Sequence, residues 1–295
     1  MNIRQTGKML LVSGPVLALL VSLQAFIPLW AQTNGNRPAE ADKLHVVLLV
    51  AGHDKGIGNA DLKDIAAMKK AINAAFAQDK TRVIFHDLTG INKKTGKVYS
   101  AAEILNHLRG MKIGKNDNVM VYHSGHGGIT NMKRPEQTHT LVVDGGDLHR
   151  KDIKAILQAK SPRALMILTD CCSSLIKGEE AFGLTREAAP TVNVALVRNL
   201  LLKPIGIVNI TAAQDGTEAS AGYKGVNPGQ AGSAFTVALM RLWYKQDANY
   251  GSWEQFFPAL KNETYQASGG AHSARAFQIS TRPLTTGAAS KGMIE

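Results

Sequence analysis

Residues 44–51, LHVVLLVA, form a run of strand length, rich in Val and without alternation of polar and apolar faces. Such a run suits a strand covered on both sides, and strands of that kind occur in parallel sheets joined by helical crossovers. The chain then repeats the pattern. A loop, GHDKGIGNA, leads to a helix from about Asp61, with Leu62, Ile65, Met68, Ile72 and Phe76 on its apolar face. Residues 81–88 read as a second strand. Ser100-x-x-Glu103 is a capping box opening a helix that carries Ile104, Leu105 and Leu108. Residues 118–123 are a third strand, and 141–143 part of a hairpin. A short helix over 149–157 precedes a strand over 164–170, then a helix over 194–202 and a strand over 205–211. Helices over 234–244 and 253–266 follow, the second opened by Ser252-x-x-Gln255. Strands separated by helices predict an α/β fold, a three-layer sandwich with a mostly parallel sheet and helices on both faces. One domain over 43–295 is expected.

The N-terminus reads differently. Arg4 and Lys8 precede a nearly unbroken apolar run over 9–23, and Ala31 supplies a small residue before Gln32. This is the layout of a secretory signal peptide over 1–31, which implies an exported protein, periplasmic or extracellular. Leu29 departs from the A-x-A pattern, so an uncleaved segment would serve as a membrane anchor. Residues 32–42, QTNGNRPAEAD, read as a linker. Mass spectrometry of the mature protein is expected to find a start at or close to Gln32. An intact Met1 in the membrane fraction would support the anchor instead.

Only two cysteines occur, Cys171 and Cys172, and neighbours cannot easily meet the geometry of a disulfide. An exported chain without disulfides relies on its hydrophobic core, and a retained thiol in an oxidising compartment points to a job for it. The net charge is +11, but Lys and Arg are spread along the chain without a dense basic run or interleaved aromatics, so no nucleic-acid partner is expected.

Two chemistry-bearing segments lie just past strand ends. One is Tyr122-His123-Ser124-Gly125-His126-Gly127-Gly128, the other Thr169-Asp170-Cys171-Cys172-Ser173-Ser174. Ligands in such sheets sit beyond the carboxyl ends of the strands, so the two segments can meet across one rim. A thiol beside an imidazole is an activated nucleophile, because the base draws the thiol toward thiolate. Continued alternation past Leu168 puts Asp170 and Cys172 on one side and Cys171 on the other, which makes Cys171 a packed thiol.

Here the chain resembles the caspase and metacaspase superfamily, in the form of a bacterial-type caspase domain. The resemblance rests on HSGHG and on Asp170-Cys171-Cys172, with His126 lying 46 residues before Cys172, near the roughly 50 found in caspases. It extends over about residues 43–283 and takes in AAQDGTEAS and GSAFTVALMRLW. It implies a cysteine endopeptidase acting on polypeptides, with Cys172 as nucleophile, His126 as base, and the backbone N–H groups of Gly127 and Cys172 holding the oxyanion. Asp170 stands where caspases proper have the Gln of Gln-Ala-Cys, and resembles the metacaspase acid that binds Arg or Lys of the substrate. The loop in which caspases carry an Arg for aspartate contains only Lys55. Asp215 is the expected second pocket acid, with Glu218 as competitor. The loop after the nucleophile, over 175–190, is where such enzymes cut themselves, and it offers Lys177 and Arg186.

The resemblance implies no cofactor, and the sequence says nothing of calcium. A monomer is expected. Metacaspases have His then Ser after the cysteine; Ser173 and Ser174 stand here, which keeps a catalytically inactive binding module as the alternative. A zinc site from His123, His126 and the two cysteines lacks the ligand spacing of zinc knuckles. Gly52, Gly56 and Gly58 do not form a dinucleotide fingerprint.

Overall fold

The computed structural model describes residues 40–172, 191–219 and 232–280. The chain divides into two compact units after Pro38, and every described residue lies in the second. The expected signal segment, Ser173, Ser174 and the loop with Lys177 and Arg186 fall outside the described residues.

In chain order the elements are β1 (Leu44–Val50), α1 (Gly58–Ala75), β2 (Val83–Asp87), β3 (Ile91–Asn92), β4 (Lys97–Val98) and α2 (Ala101–Gly110). Next come β5 (Asn118–Ser124), β6 (Gly127–Ile129), α3 (Pro135–Thr138), β7 (His139–Val143), β8 (Gly146–His149) and α4 (Arg150–Gln158). The last are β9 (Ala164–Asp170), α5 (Val194–Leu202), β10 (Gly206–Thr211), α6 (Ala234–Tyr244), α7 (Trp253–Ala267) and β11 (Arg275–Ser280). The protein is α/β. Its central sheet has six strands in the order β11-β10-β9-β5-β1-β2, parallel throughout except where β11 runs antiparallel to β10.

Both sheet faces are covered, as the strand runs require. Val46, Leu48 and Val50 point with Tyr122 and Leu168 into a core closed by α1, α5, α6 and α7, whereas Val47, Leu49, Val121 and Ile167 pack beneath α2, α4 and the β7–β8 hairpin. Trp243 and Trp253 are fully buried in the first core, and the Trp253 indole N–H donates to Leu200 O at 2.8 Å. Burying one large apolar side chain contributes roughly 1.5–3 kcal/mol, so these layers rather than helix propensity hold the helices in place.

The Ser100–Glu103 capping box is closed in both directions, with Glu103 N–H donating to Ser100 Oγ at 3.2 Å and Ser100 N–H to Glu103 Oε2 at 2.8 Å. The second box forms by half. Ser252 Oγ accepts from Gln255 N, but the Gln255 side chain accepts from Gly251 N instead of Ser252 N. Of the residues assigned above to the linker, Ala41 is buried and its N–H donates to Leu202 O at 2.8 Å, while Glu40 pairs with Arg82. Strand β11, with its edge pairing to β10, was not expected from the sequence.

The chain leaves β1 for β2 on one side and returns to β5 on the other. The β1/β5 boundary is therefore the topological switch point, where a crevice opens beyond the strand ends.

Candidate active site

Strand register sets the two motifs level. Val50 pairs with Ser124, and Ser124 pairs with Asp170, so β1, β5 and β9 end on one rung. His126 stands two residues past that rung after β5, and Cys172 two residues past it after β9. Gly125 N–H extends the ladder by donating to Asp170 O at 3.1 Å. Gly125 has φ +154°, and a Cβ there would sit 3.0 Å from the Ala51 Cβ and 3.2 Å from His123 Nε2. At Gly127 a Cβ would come within 2.7 Å of Cys171 Sγ and 2.9 Å of Thr140 O. Gly125 permits a backbone conformation, and Gly127 a close approach of Cys171 and Thr140, that side chains would block.

Cys172 is partly exposed. Its Sγ accepts from Ala219 N at 3.3 Å and donates to Ala219 O at 3.7 Å. Burial pushes the Cys172 thiol up, so the thiolate does not form unaided. The His126 imidazole is 30 % exposed and its Nε2 faces Asp54 Oδ2 at 3.5 Å. Asp54 belongs to the loop after β1, and no sequence signal had singled it out.

Cys171 takes the opposite side, as alternation requires. It is buried with Val121, Leu141 and Ile167, and burial pushes its thiol to about 12. Beneath Cys172 lies a network the sequence did not reveal. His139 Nε2 donates to Cys172 O at 3.0 Å and Arg150 Nε donates to His139 Nδ1 at 3.0 Å. Arg150 is fully buried, donates further to Asn209 Oδ1 and Thr169 Oγ1, and lies over the Phe277 ring at 5.0 Å. These bonds fix the His139 tautomer, and burial together with the Arg150 charge pushes its ring down to about 3. The neutral ring thus anchors the Cys172 carbonyl. His123 is sealed in the core, with Nε2 donating to Val142 O at 2.7 Å.

Asp170 is buried, with its Oδ2 accepting from Thr236 N at 2.9 Å and Thr236 Oγ1 at 2.5 Å. It is not alone. Asp61 and Asp64, one helical turn apart on α1, are buried beside it and share the Ser124 hydroxyl, at 3.1 and 2.9 Å. Asp64 also accepts from Ser233 N and Oγ, whereas Asp61 Oδ2 is buried without a hydrogen-bond partner. Among the described residues no lysine or arginine pairs with any of the three carboxyls. Burial pushes Asp61 up to about 8 and Asp170 to about 6, and burial with the Asp170 charge lifts Asp64 well above the usual carboxylate range.

Of the expected apolar face of α1, Ile65, Met68, Ile72 and Phe76 are buried, but Leu62 is exposed, and the helix turns Asp61 and Asp64 inward, where Ser124 and Ser233 supply donors. Asp215, the expected second pocket acid, pairs through Oδ2 with Arg275 on β11, and its Oδ1 is buried without a hydrogen-bond partner. Glu218 is exposed, close enough to Cys172 for its charge to oppose thiolate formation. Gly127 opens β6 opposite Leu141, and Cys172 stands two residues past the end of the β9 rung. Among the described residues no group of three or more His, Cys, Asp or Glu is arranged to hold a metal ion, and no helix is long and apolar enough to cross a membrane. No protein-family model matches the chain, and no curated protein matches it in sequence.

Proposed function

We propose that this protein is an exported, monomeric cysteine endopeptidase of the caspase–metacaspase type, which cleaves polypeptides after Arg or Lys. The observation that carries this reading is the cluster of Asp61, Asp64 and Asp170, buried with no cation among the described residues, beside the rung from which the His126 and Cys172 loops depart. Buried carboxyls lacking a counter-charge are costly, and a substrate guanidinium or ammonium entering among them supplies it. Asp61 Oδ2 offers an acceptor already in place.

In this reading the substrate cation enters the acid cluster and brings its carbonyl to Cys172. His126 takes the thiol proton and the thiolate attacks, forming the C–S bond as the carbonyl oxygen takes the negative charge. The N–H groups of Gly127 and Cys172 stabilise that oxyanion. The C–N bond then breaks as His126 returns the proton to the departing amine. Water, deprotonated by His126, cleaves the thioester and regenerates the thiol. Before the first step Cys172 Sγ must leave Ala219 N.

That same contact favours a second reading, a caspase-like binding module without catalysis, in which Ala219 holds the thiol. A peptide library cleaved by the purified protein and a cysteine-directed peptide probe ending in Arg decide between them. Cleavage after Arg or Lys with labelling of Cys172 is expected. Cleavage mainly after Asp overturns the specificity, and neither cleavage nor labelling leaves the module.

A further inference from the structure

The loop after β1 presents its one carboxylate to His126 in a fixed attitude. Asp54 Oδ1 accepts from Gly56 N at 2.7 Å and from Ile57 N at 2.9 Å, which leaves Oδ2 to face His126 Nε2 at 3.5 Å. The backbone around Asp54 is tied down as well, with Asp54 N donating to Ala51 O at 3.2 Å and Gly58 N to Asp54 O at 3.1 Å. A Cβ at Gly58 would lie 2.5 Å from Gly52 O, so the loop closes tightly on itself. From the other side Asp144 grips the preceding residue, accepting from His53 N at 2.7 Å and pairing with His53 Nδ1 at 2.8 Å. The hydrogen bond from Ile57, with those from Gly56 and the facing His126, holds the Asp54 carboxyl below its ordinary range despite partial burial, so it stands ionised.

An ionised carboxylate facing one ring nitrogen selects the tautomer with hydrogen on that nitrogen. We propose that Asp54 is a positioning residue for His126, keeping the proton on Nε2 so that Nδ1 is the nitrogen that receives the Cys172 proton. This rests on the reading of His126 as the base. A separation of 3.5 Å is ordinary for a site without substrate, where such contacts tighten only on binding.

The two oxygens of Asp54 do different work, and that gives a test in which a merely structural role predicts the opposite order. In Asp54→Asn the Gly56 and Ile57 N–H groups still demand an acceptor. The amide oxygen must serve them, and the amide NH2 then faces His126. A donor there selects the wrong tautomer and puts the proton on Nδ1. In Asp54→Ala the loop loses its internal acceptor, but water can occupy the place beside Nε2 and either tautomer forms. Asp54→Asn is therefore expected to lower kcat by about 100-fold or more with little change in KM, and Asp54→Ala by only about tenfold. Thermal melting should show the reverse, with Asn close to wild type and Ala lower. Alkylation of Cys172 by iodoacetamide, located by fragment-ion mapping, should follow the same order as kcat: wild type, then Ala, then Asn. That readout needs no peptide cleavage. If the wild type cuts no peptide the endopeptidase reading fails, while Asp54 is still judged by alkylation. If Ala is at least as damaging as Asn, or both variants stay within twofold of wild type, Asp54 serves only the loop and the proposal is overturned.

Discussion

Cys172→Ala is expected to lower peptide hydrolysis by up to about a millionfold, whereas Cys171→Ala keeps most of it. The two thiols are neighbours in sequence and opposite in surroundings. Cys172 reaches the rim and is partly exposed, while Cys171 is sealed among Val121, Leu141 and Ile167 with its thiol pushed to about 12. Cys171 Sγ does lie 3.8 Å from His139 Nε2. That ring is no base toward it, because Nε2 carries hydrogen toward Cys172 O and Nδ1 is taken by Arg150. Removing the Cys171 sulfur should cost about 1–2 kcal/mol of stability through the small cavity it leaves. Rates of hydrolysis of an Arg-ending peptide, with melting curves beside them, check both statements. Loss of activity in Cys171→Ala alone would sink the assignment of the nucleophile.

Asp170→Asn is expected to cost on the order of 2–5 kcal/mol of transition-state binding for substrates with Arg or Lys before the scissile bond. The same change should stabilise the free protein at alkaline pH. The sign follows from the raised carboxyls. Folding lifts Asp170 from 3.8 to about 6 and Asp61 from 3.8 to about 8. Between these limits the folded state holds more protons than the unfolded one, so stability falls as pH rises. It is greatest below about pH 4 as far as these groups are concerned, and is lost as pH passes through 6 and then 8. A bound guanidinium reverses the effect by favouring the ionised forms. An arginyl aldehyde should bind more tightly from pH 5 toward pH 8 and release protons as it does so. Calorimetry in two buffers of different ionisation heat reads that release directly. Unchanged turnover of Arg substrates by Asp170→Asn, or proton uptake on binding, would remove the acid cluster from substrate recognition.

The strands were legible because burial on both faces leaves a plain record in side-chain type. The apolar run of β1 and its counterparts in β5 and β9 gave their bounds to within a residue or so. β11 left a weaker record. RAFQIS lies on the sheet edge, half-buried throughout, and neither a continuous apolar run nor a clean alternation marks it. Helix α1 misled for a different reason. Its apolar residues recur at helical spacing, but the face that turns inward also carries Asp61 and Asp64, whose burial depends on hydroxyls supplied by β5 and by the residue before α6.

By itself the sequence determined that strands and helices alternate, that HSGHG and Asp170-Cys171-Cys172 run over strand ends with His126 and Cys172 just beyond them, and that Cys171 and Cys172 face opposite ways. Each follows from local periodicity: the period of two along a strand, the period of 3.6 along a helix, and the turn that glycine allows. The tertiary structure alone decided which charges meet. It joined Asp61 and Asp64 to Asp170, gave Asp215 to Arg275 and set Asp54 against His126. It also placed Arg150 and His139 beneath Cys172. Those pairings join residues brought together by strand order, and a carboxylate carries no local mark of whether a cation or another carboxylate will be its neighbour. Its charge and proton affinity are set across space, by the strands that the fold puts side by side.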